Sequence, residues 1–99
     1  MTVIEIDFRN VKSLSDFEDI ISTSLKFPYY YGRNINAFWD CLTDILDDTM
    51  VNIFNYDSID KVTRDHIAFY ILLMFEYQEK TNRQFRIHLY FGNDLPEHK

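Results

Sequence analysis

Two glycines, two prolines and a single cysteine in 99 residues remove whole classes of protein at the outset. So little glycine leaves no phosphate-cradling loop: GxxxxGK[ST], GxGxxG and GxSxG are all missing. So little of either breaker also argues against a disordered or fibrous chain, and one compact domain over residues 1–99 is expected. Cys41, alone, can make neither an internal disulfide nor a thiolate pair for zinc. A small chain without such staples suits a reducing compartment, and the expected location is cytoplasmic. The longest apolar run, Ile67 to Phe75, has nine residues against the roughly twenty needed to span a bilayer. The start, MTVIEIDFRN, has acids at positions 5 and 7 and so lacks both the basic opening and the unbroken apolar core of a signal peptide.

Positive charge is missing from one segment in particular. From Asn34 to Asp60 there is no lysine or arginine, but there are six aspartates: Asp40, Asp44, Asp47, Asp48, Asp57 and Asp60. The rest of the chain carries ten acids against ten bases, so the net charge of −6 resides in that segment. A phosphate backbone would be repelled there, which argues against nucleic acid as a partner, whereas a basic protein would be attracted.

A catalytic constellation is missing too. His66, His88 and His98 are scattered, without HxxxH spacing. Cys41 follows Asp40, whose charge opposes thiolate formation, and Asp47 and Asp48 lack the spacing of a calcium loop. The expectation is therefore no enzyme, no cofactor and no metal.

What is present alternates strand with helix. TVIEIDF, from Thr2 to Phe8, alternates apolar and acidic residues after Ile4, as a strand covered on one face does. Ser13 with Asp16 makes a variant capping box before the stripe Leu14, Phe17, Ile21 and Leu25. Asn34 is a good N-cap for a second helix with apolar positions Ile35, Phe38, Trp39, Leu42, Ile45 and Leu46. MVNIF, from Met50, reads as a second strand, and a short helical turn fits near Asp57 to Val62. Thr63 is the expected cap of a third helix, whose centre IAFYILLMF is apolar on nearly every side and so is expected between layers, with Asn82 as its stop. FRIHLYF, from Phe85 to Phe91, is the last strand. Strands joined through helices predict an α/β domain: a three-stranded, mostly parallel sheet packed with three to four helices.

The stretch FPYYYGRNINAFWDCL concentrates the unusual features. At about 100° per residue, Asn36, Asp40, Thr43, Asp44 and Asp47 fall on one helical face as an acidic ridge. Read as helix, Asp44 and Asp47 stand in its last turn, where the macrodipole disfavours acids, so the ridge is expected to serve something other than helix stability. Trp39 suits a boundary position, part core and part contact. Tyr29, Tyr30 and Tyr31 precede the N-cap, so at least one ring is expected to project beside the ridge, the kind of surface from which protein-binding hot spots are built.

The run Tyr30-Tyr31-Gly32-x-Asn34-x-x-Ala37-x-Trp39-Asp40-Cys41-Leu42-Thr43 closely resembles the signature of the barstar family, intracellular protein inhibitors of bacterial ribonucleases. The order of elements is similar along essentially the whole chain. The resemblance implies a binding protein without catalysis, an immunity protein or antitoxin. Its tyrosine loop and following helix would enter the basic active-site cleft of a secreted ribonuclease, with carboxylates where RNA phosphates would lie. It implies that Tyr30 stacks in the cleft, that Asp40 occupies the phosphate site, and that Trp39 and Thr43 are neighbouring contacts. Gly32 would allow a tight turn, Asn34 would start the helix, and Cys41 falls on a family cysteine with no catalytic role. Tyr31, Asn34, Asn36 and Asp44 complete the expected partner-binding set.

The chain also departs from the family pattern. Asn36 and Arg33 stand where the family has acids, Asp44 adds an acid where it has glycine, and the acid of its late helix falls on Tyr77 or, one position earlier, on Glu76. A cognate ribonuclease with differently arranged cations is expected, bound by a monomer as a 1:1 heterodimer. Two alternatives are a barstar-like module that neutralises a non-ribonuclease toxin or regulates another basic partner, and aromatics that stack single-stranded RNA bases, which the acidic segment opposes.

Because the excess charge is local, association with a basic partner should be steered. Stopped-flow association rates should fall steeply between low and physiological ionic strength, with dissociation rates changing far less. An association rate indifferent to salt would refute this.

Overall fold

The computed structural model describes residues 1–92. In chain order it contains β1 (Thr2–Asp7), α1 (Leu14–Ser24), α2 (Ile35–Leu42), β2 (Thr49–Phe54), a 3-10 turn (Tyr56–Ser58), α3 (Lys61–Lys80) and β3 (Phe85–Tyr90). The strands form one sheet in the order β1-β2-β3, and both pairings are parallel. The sheet is thus wholly rather than mostly parallel, because each return runs through a helical crossover.

Register explains the layering. Ile4, Val51 and Ile87 align across the strands, as do Ile6, Ile53 and Leu89, and these point toward the helices. Against them pack Phe17 and Ile21 of α1, Phe38 and Leu42 of α2, and Ile67, Tyr70, Ile71 and Met74 of α3. Glu5 and Asp7, one residue out of phase, lie exposed on the opposite face. The alternation of apolar and acidic residues in the first strand is the sequence image of this one-sided burial.

The caps are local and specific. Ser13 Oγ accepts from Asp16 N at 3.1 Å, and Asp16 Oδ2 accepts from Lys12 N at 2.9 Å. Asn34 Oδ1 accepts from Ala37 N at 2.9 Å, which starts α2 where expected.

Three expectations are corrected. α3 is capped by Asp60, whose Oδ2 accepts from Thr63 N at 3.3 Å, while Thr63 lies within the helix and donates its hydroxyl to Lys12 O. An acid at the N-cap accepts the same orphan amide as a threonine would and adds a favourable charge at the positive end of the helix. α2 ends at Leu42, so Ile45, Leu46, Asp44 and Asp47 lie beyond it. Thr43, Asp44 and Ile45 instead close short turns onto Trp39, Cys41 and Leu42, and Leu46 is exposed. Finally, α3 is not sandwiched between layers. It flanks the single helical layer, and Phe69 and Leu72 are exposed.

Phe38 is fully buried, with edge-to-face contacts to Phe27 (5.9 Å) and Tyr70 (5.1 Å), and it couples α2 to both the tyrosine loop and α3. Phe38→Ala should cost about 3–5 kcal/mol in chemical denaturation. A loss below about 1 kcal/mol would show that α2 is not seated through this ring.

Candidate functional site

The tyrosine loop is held from beneath. Tyr31 is only 9% exposed, and its hydroxyl donates to Glu18 Oε1 at 2.5 Å. Tyr70 of α3 donates to the other oxygen of the same carboxylate at 2.9 Å. Glu18, 2% exposed, therefore has a phenol on each oxygen, and one carboxylate ties α1, the loop and α3 together. Burial, then the bond to Glu18, pushes the Tyr70 phenol up to about 12. Tyr31 is raised for the same reasons in the same order.

The loop is also held from outside. Arg33 pairs with Asp19 at 2.8 Å and reaches Ser15 O and Oγ at 3.3 and 3.2 Å. Arg33, and not Gly32, carries the left-handed backbone, with φ of 55°. This corrects the role expected of Gly32. A Cβ there would come within 3.3 Å of the Ala37 Cβ, so the position needs glycine for the close approach of the loop to α2, not for a special dihedral angle. Arg33 is thus committed to an internal clasp.

With Tyr31 anchored in the core, its two preceding neighbours stay outside it. Tyr29 is 99% and Tyr30 73% exposed, and the two rings meet edge to face at 5.5 Å. Tyr31 had been grouped with the surface contacts, but the structure assigns its ring to the core and its hydroxyl to Glu18. One buried phenol and two outward ones satisfy the short loop, because only one ring can reach the carboxylate.

On α2, Asn36 and Asp40 are exposed one turn apart, with Trp39 half-buried between them. Trp39 packs edge-on to Tyr77 at 6.1 Å, which fits the expected boundary position. Tyr77 is buried, and its hydroxyl donates to Ile45 O at 2.6 Å and Thr43 O at 3.3 Å, securing the exit from α2. It therefore cannot be the surface position of that turn of α3. Glu76, beside it, is exposed. Thr43 is the C-cap of α2, and its hydroxyl donates to Trp39 O and Asp40 O. The ridge expected from helical spacing stops there. Asp44 and Asp47 border a separate hollow with residues 2–5 of β1 and residues 24–26 after α1. An eight-residue helix cannot align five polar positions, so only Asn36, Asp40 and Thr43 share its face.

The sequence reading passed over Glu18, Tyr70 and the groove between α2 and α3. Glu18 had a visible signal: it stands four residues after Leu14 and three before Ile21, an acid inside an apolar stripe. The groove had none, since it depends on how two helices meet.

Among the described residues no three histidine, cysteine, aspartate or glutamate side chains are grouped to hold a metal, and no helix is long and apolar enough to cross a membrane. Burial, then Asp44 and Asp40, pushes the Cys41 thiol up, away from nucleophilic use. His98 lies outside the described residues.

The chain was compared with known proteins. A family model described as Barstar (barnase inhibitor) matches residues 1–91. A Bacillus subtilis (strain 168) protein named "Putative ribonuclease inhibitor YrdF" is 31% identical over 88 residues, covering 88% of this chain and 97% of the relative.

The buried phenols predict an alkaline limit. The folded state favours neutral Tyr70, whereas an unfolded tyrosine ionises near 10. This contribution is intact below pH ~10 and is lost as pH rises through about 12. Urea midpoints measured from pH 8 to 12 should fall above pH ~10, and less steeply for Tyr70→Phe. Identical slopes would refute the linkage.

Proposed function

This chain belongs to the barstar family, and from that membership we propose that it is a protein inhibitor of a basic ribonuclease, acting by occupying the enzyme's active-site cleft and performing no catalysis itself. One observation carries the reading. The ion pairs among the described residues join Arg9 to Asp7, Arg33 to Asp19, Lys61 to Asp65 and Arg83 to Glu79. Not one of the six aspartates between Asn34 and Asp60 takes part in them. The negative excess of that segment is thus not neutralised by these ion pairs.

The mechanism follows from this placement. Long-range attraction brings a cationic cleft toward the acidic segment. Asp40, exposed on α2, then meets desolvated cations where an RNA phosphate would sit, and Asn36 offers an amide one turn earlier. Tyr30, held out by its anchored neighbour, stacks as a nucleobase would, and Trp39 closes the edge of the contact. Because the loop is clasped at Tyr31 and Arg33, little ordering entropy remains to be lost on binding. Asp44 contributes to the attraction more than to the contact, since it faces the hollow beside β1. The complex is a 1:1 heterodimer, formed inside the producing cell, which is thereby protected.

The test compares two aspartates that carry the same charge. Asp40→Ala should weaken inhibition of a basic microbial ribonuclease, chosen from a panel that includes barnase, by about a hundredfold or more. Asp57, beyond the far end of β2, accepts from Gly92 N at 2.9 Å, and Asp57→Ala should cost little beyond slower association. Thermal melts serve as the fold check. Equal, small losses would mean that the segment only steers. Absence of inhibition by the unmodified protein across the panel would overturn the reading.

A further inference from the structure

α3 carries more apolar surface than the fold uses. Its buried positions, Thr63, Ile67, Tyr70, Ile71, Met74, Tyr77 and Gln78, form a complete stripe against the sheet and the other helices. Phe69 is nevertheless 67% and Leu72 60% exposed, and Leu73 is half-buried. Folding would proceed as well with polar residues at Phe69 and Leu72, so their presence calls for another cause. The location of Phe69 supplies one: with Leu73, one turn on, it forms one wall of an open groove of about 440 Å³. The facing wall is Ile35, Asn36, Trp39 and Asp40 of α2.

The two walls differ in chemistry. One offers a carboxylate and an amide, the other a phenyl ring and an aliphatic side chain, and the indole of Trp39 lies between. An occupant that satisfies both carries a cation and an apolar group separated by roughly the 8–10 Å spacing of packed helices. We infer that α3 forms the apolar half of the binding surface, and that it selects a ribonuclease with an exposed aliphatic or aromatic side chain beside the cation that meets Asp40. This inference rests on the reading of α2 as the inhibitory face and names the kind of partner that face accepts.

Charge excludes the simplest competitor, a second copy of the chain. A symmetric contact through this groove would oppose two Asp40 carboxylates between two chains that each carry a net charge of −6. A basic partner meets no such repulsion. The arrangement also divides the work of binding. The acidic segment as a whole sets the association rate and its dependence on salt, while the Asp40 contact, with Phe69 and Leu73 excluding water around it, slows dissociation.

Phe69→Ser, Asp40→Ala and Val3→Thr should be measured against the panel ribonuclease that the unmodified protein inhibits best. Val3 is exposed on the face of the sheet away from the helices and serves as the control. Phe69→Ser should weaken affinity about tenfold to a hundredfold, mainly through faster dissociation, with the salt dependence of association unchanged. Val3→Thr should bind as the unmodified protein does, and melts of Phe69→Ser should shift little because the ring is exposed. Unchanged affinity in Phe69→Ser, with Asp40→Ala weakened, would overturn the inference and leave the inhibitor reading standing. If neither change matters, the reading of α2 falls as well. Sedimentation that reveals a dimer abolished by Phe69→Ser would assign the apolar face to self-association and also overturn it.

Discussion

A single carboxylate, almost without access to water, ties the tyrosine loop to α1 and α3. Burying the Glu18 side chain is costly unless each oxygen finds a donor, and here Tyr31 and Tyr70 supply one apiece. The dependence is mutual. Remove either phenol and a buried oxygen of Glu18 loses its partner; remove Glu18 and two buried hydroxyls lose their acceptor. Since the three residues come from α1, the loop before α2, and α3, the arrangement fixes the loop relative to both helices that flank it. The exposure of Tyr29 and Tyr30 is then a geometric consequence. Their neighbour takes the inward position.

The same constraint explains why a flexible-looking segment can act as a rigid surface. Arg33, tied to Asp19 and Ser15, closes the loop from outside and accepts a left-handed backbone to do so. Tyr77 holds the other end of α2 by donating to the carbonyls of Thr43 and Ile45. A helix of eight residues is too short to be stable by propensity alone, so α2 owes its order to these anchors and to Phe38 and Leu42 beneath it.

Much of this was legible beforehand. The strands, the caps at Ser13 and Asn34 and the one-sided sheet were readable because each depends on neighbours a few residues apart. The barstar-like signature pointed to Asp40 and Trp39 for the same reason: the motif is contiguous. The errors have a common origin. Extending α2 through Asp47 treated a continuing apolar period as a continuing helix, although Ile45 reaches the core from a turn. Placing α3 between layers treated its apolar exterior as burial. Choosing Thr63 over Asp60 as the cap chose between two acceptors that local sequence cannot rank.

The sequence by itself determined the local periods, the sign and position of the charge and the motif, since all three are properties of residues close along the chain. Only the tertiary structure decided which tyrosine turns inward, why Glu18 can be buried, that Arg33 is spent on α1, and that Phe69 faces Asp40 across a groove. Each of those facts pairs residues from separate elements: 13 positions apart for Tyr31 and Glu18, and 52 for Tyr70 and Glu18. Their meeting is set by the packing of three helices on one sheet face, and no periodicity along the chain encodes it.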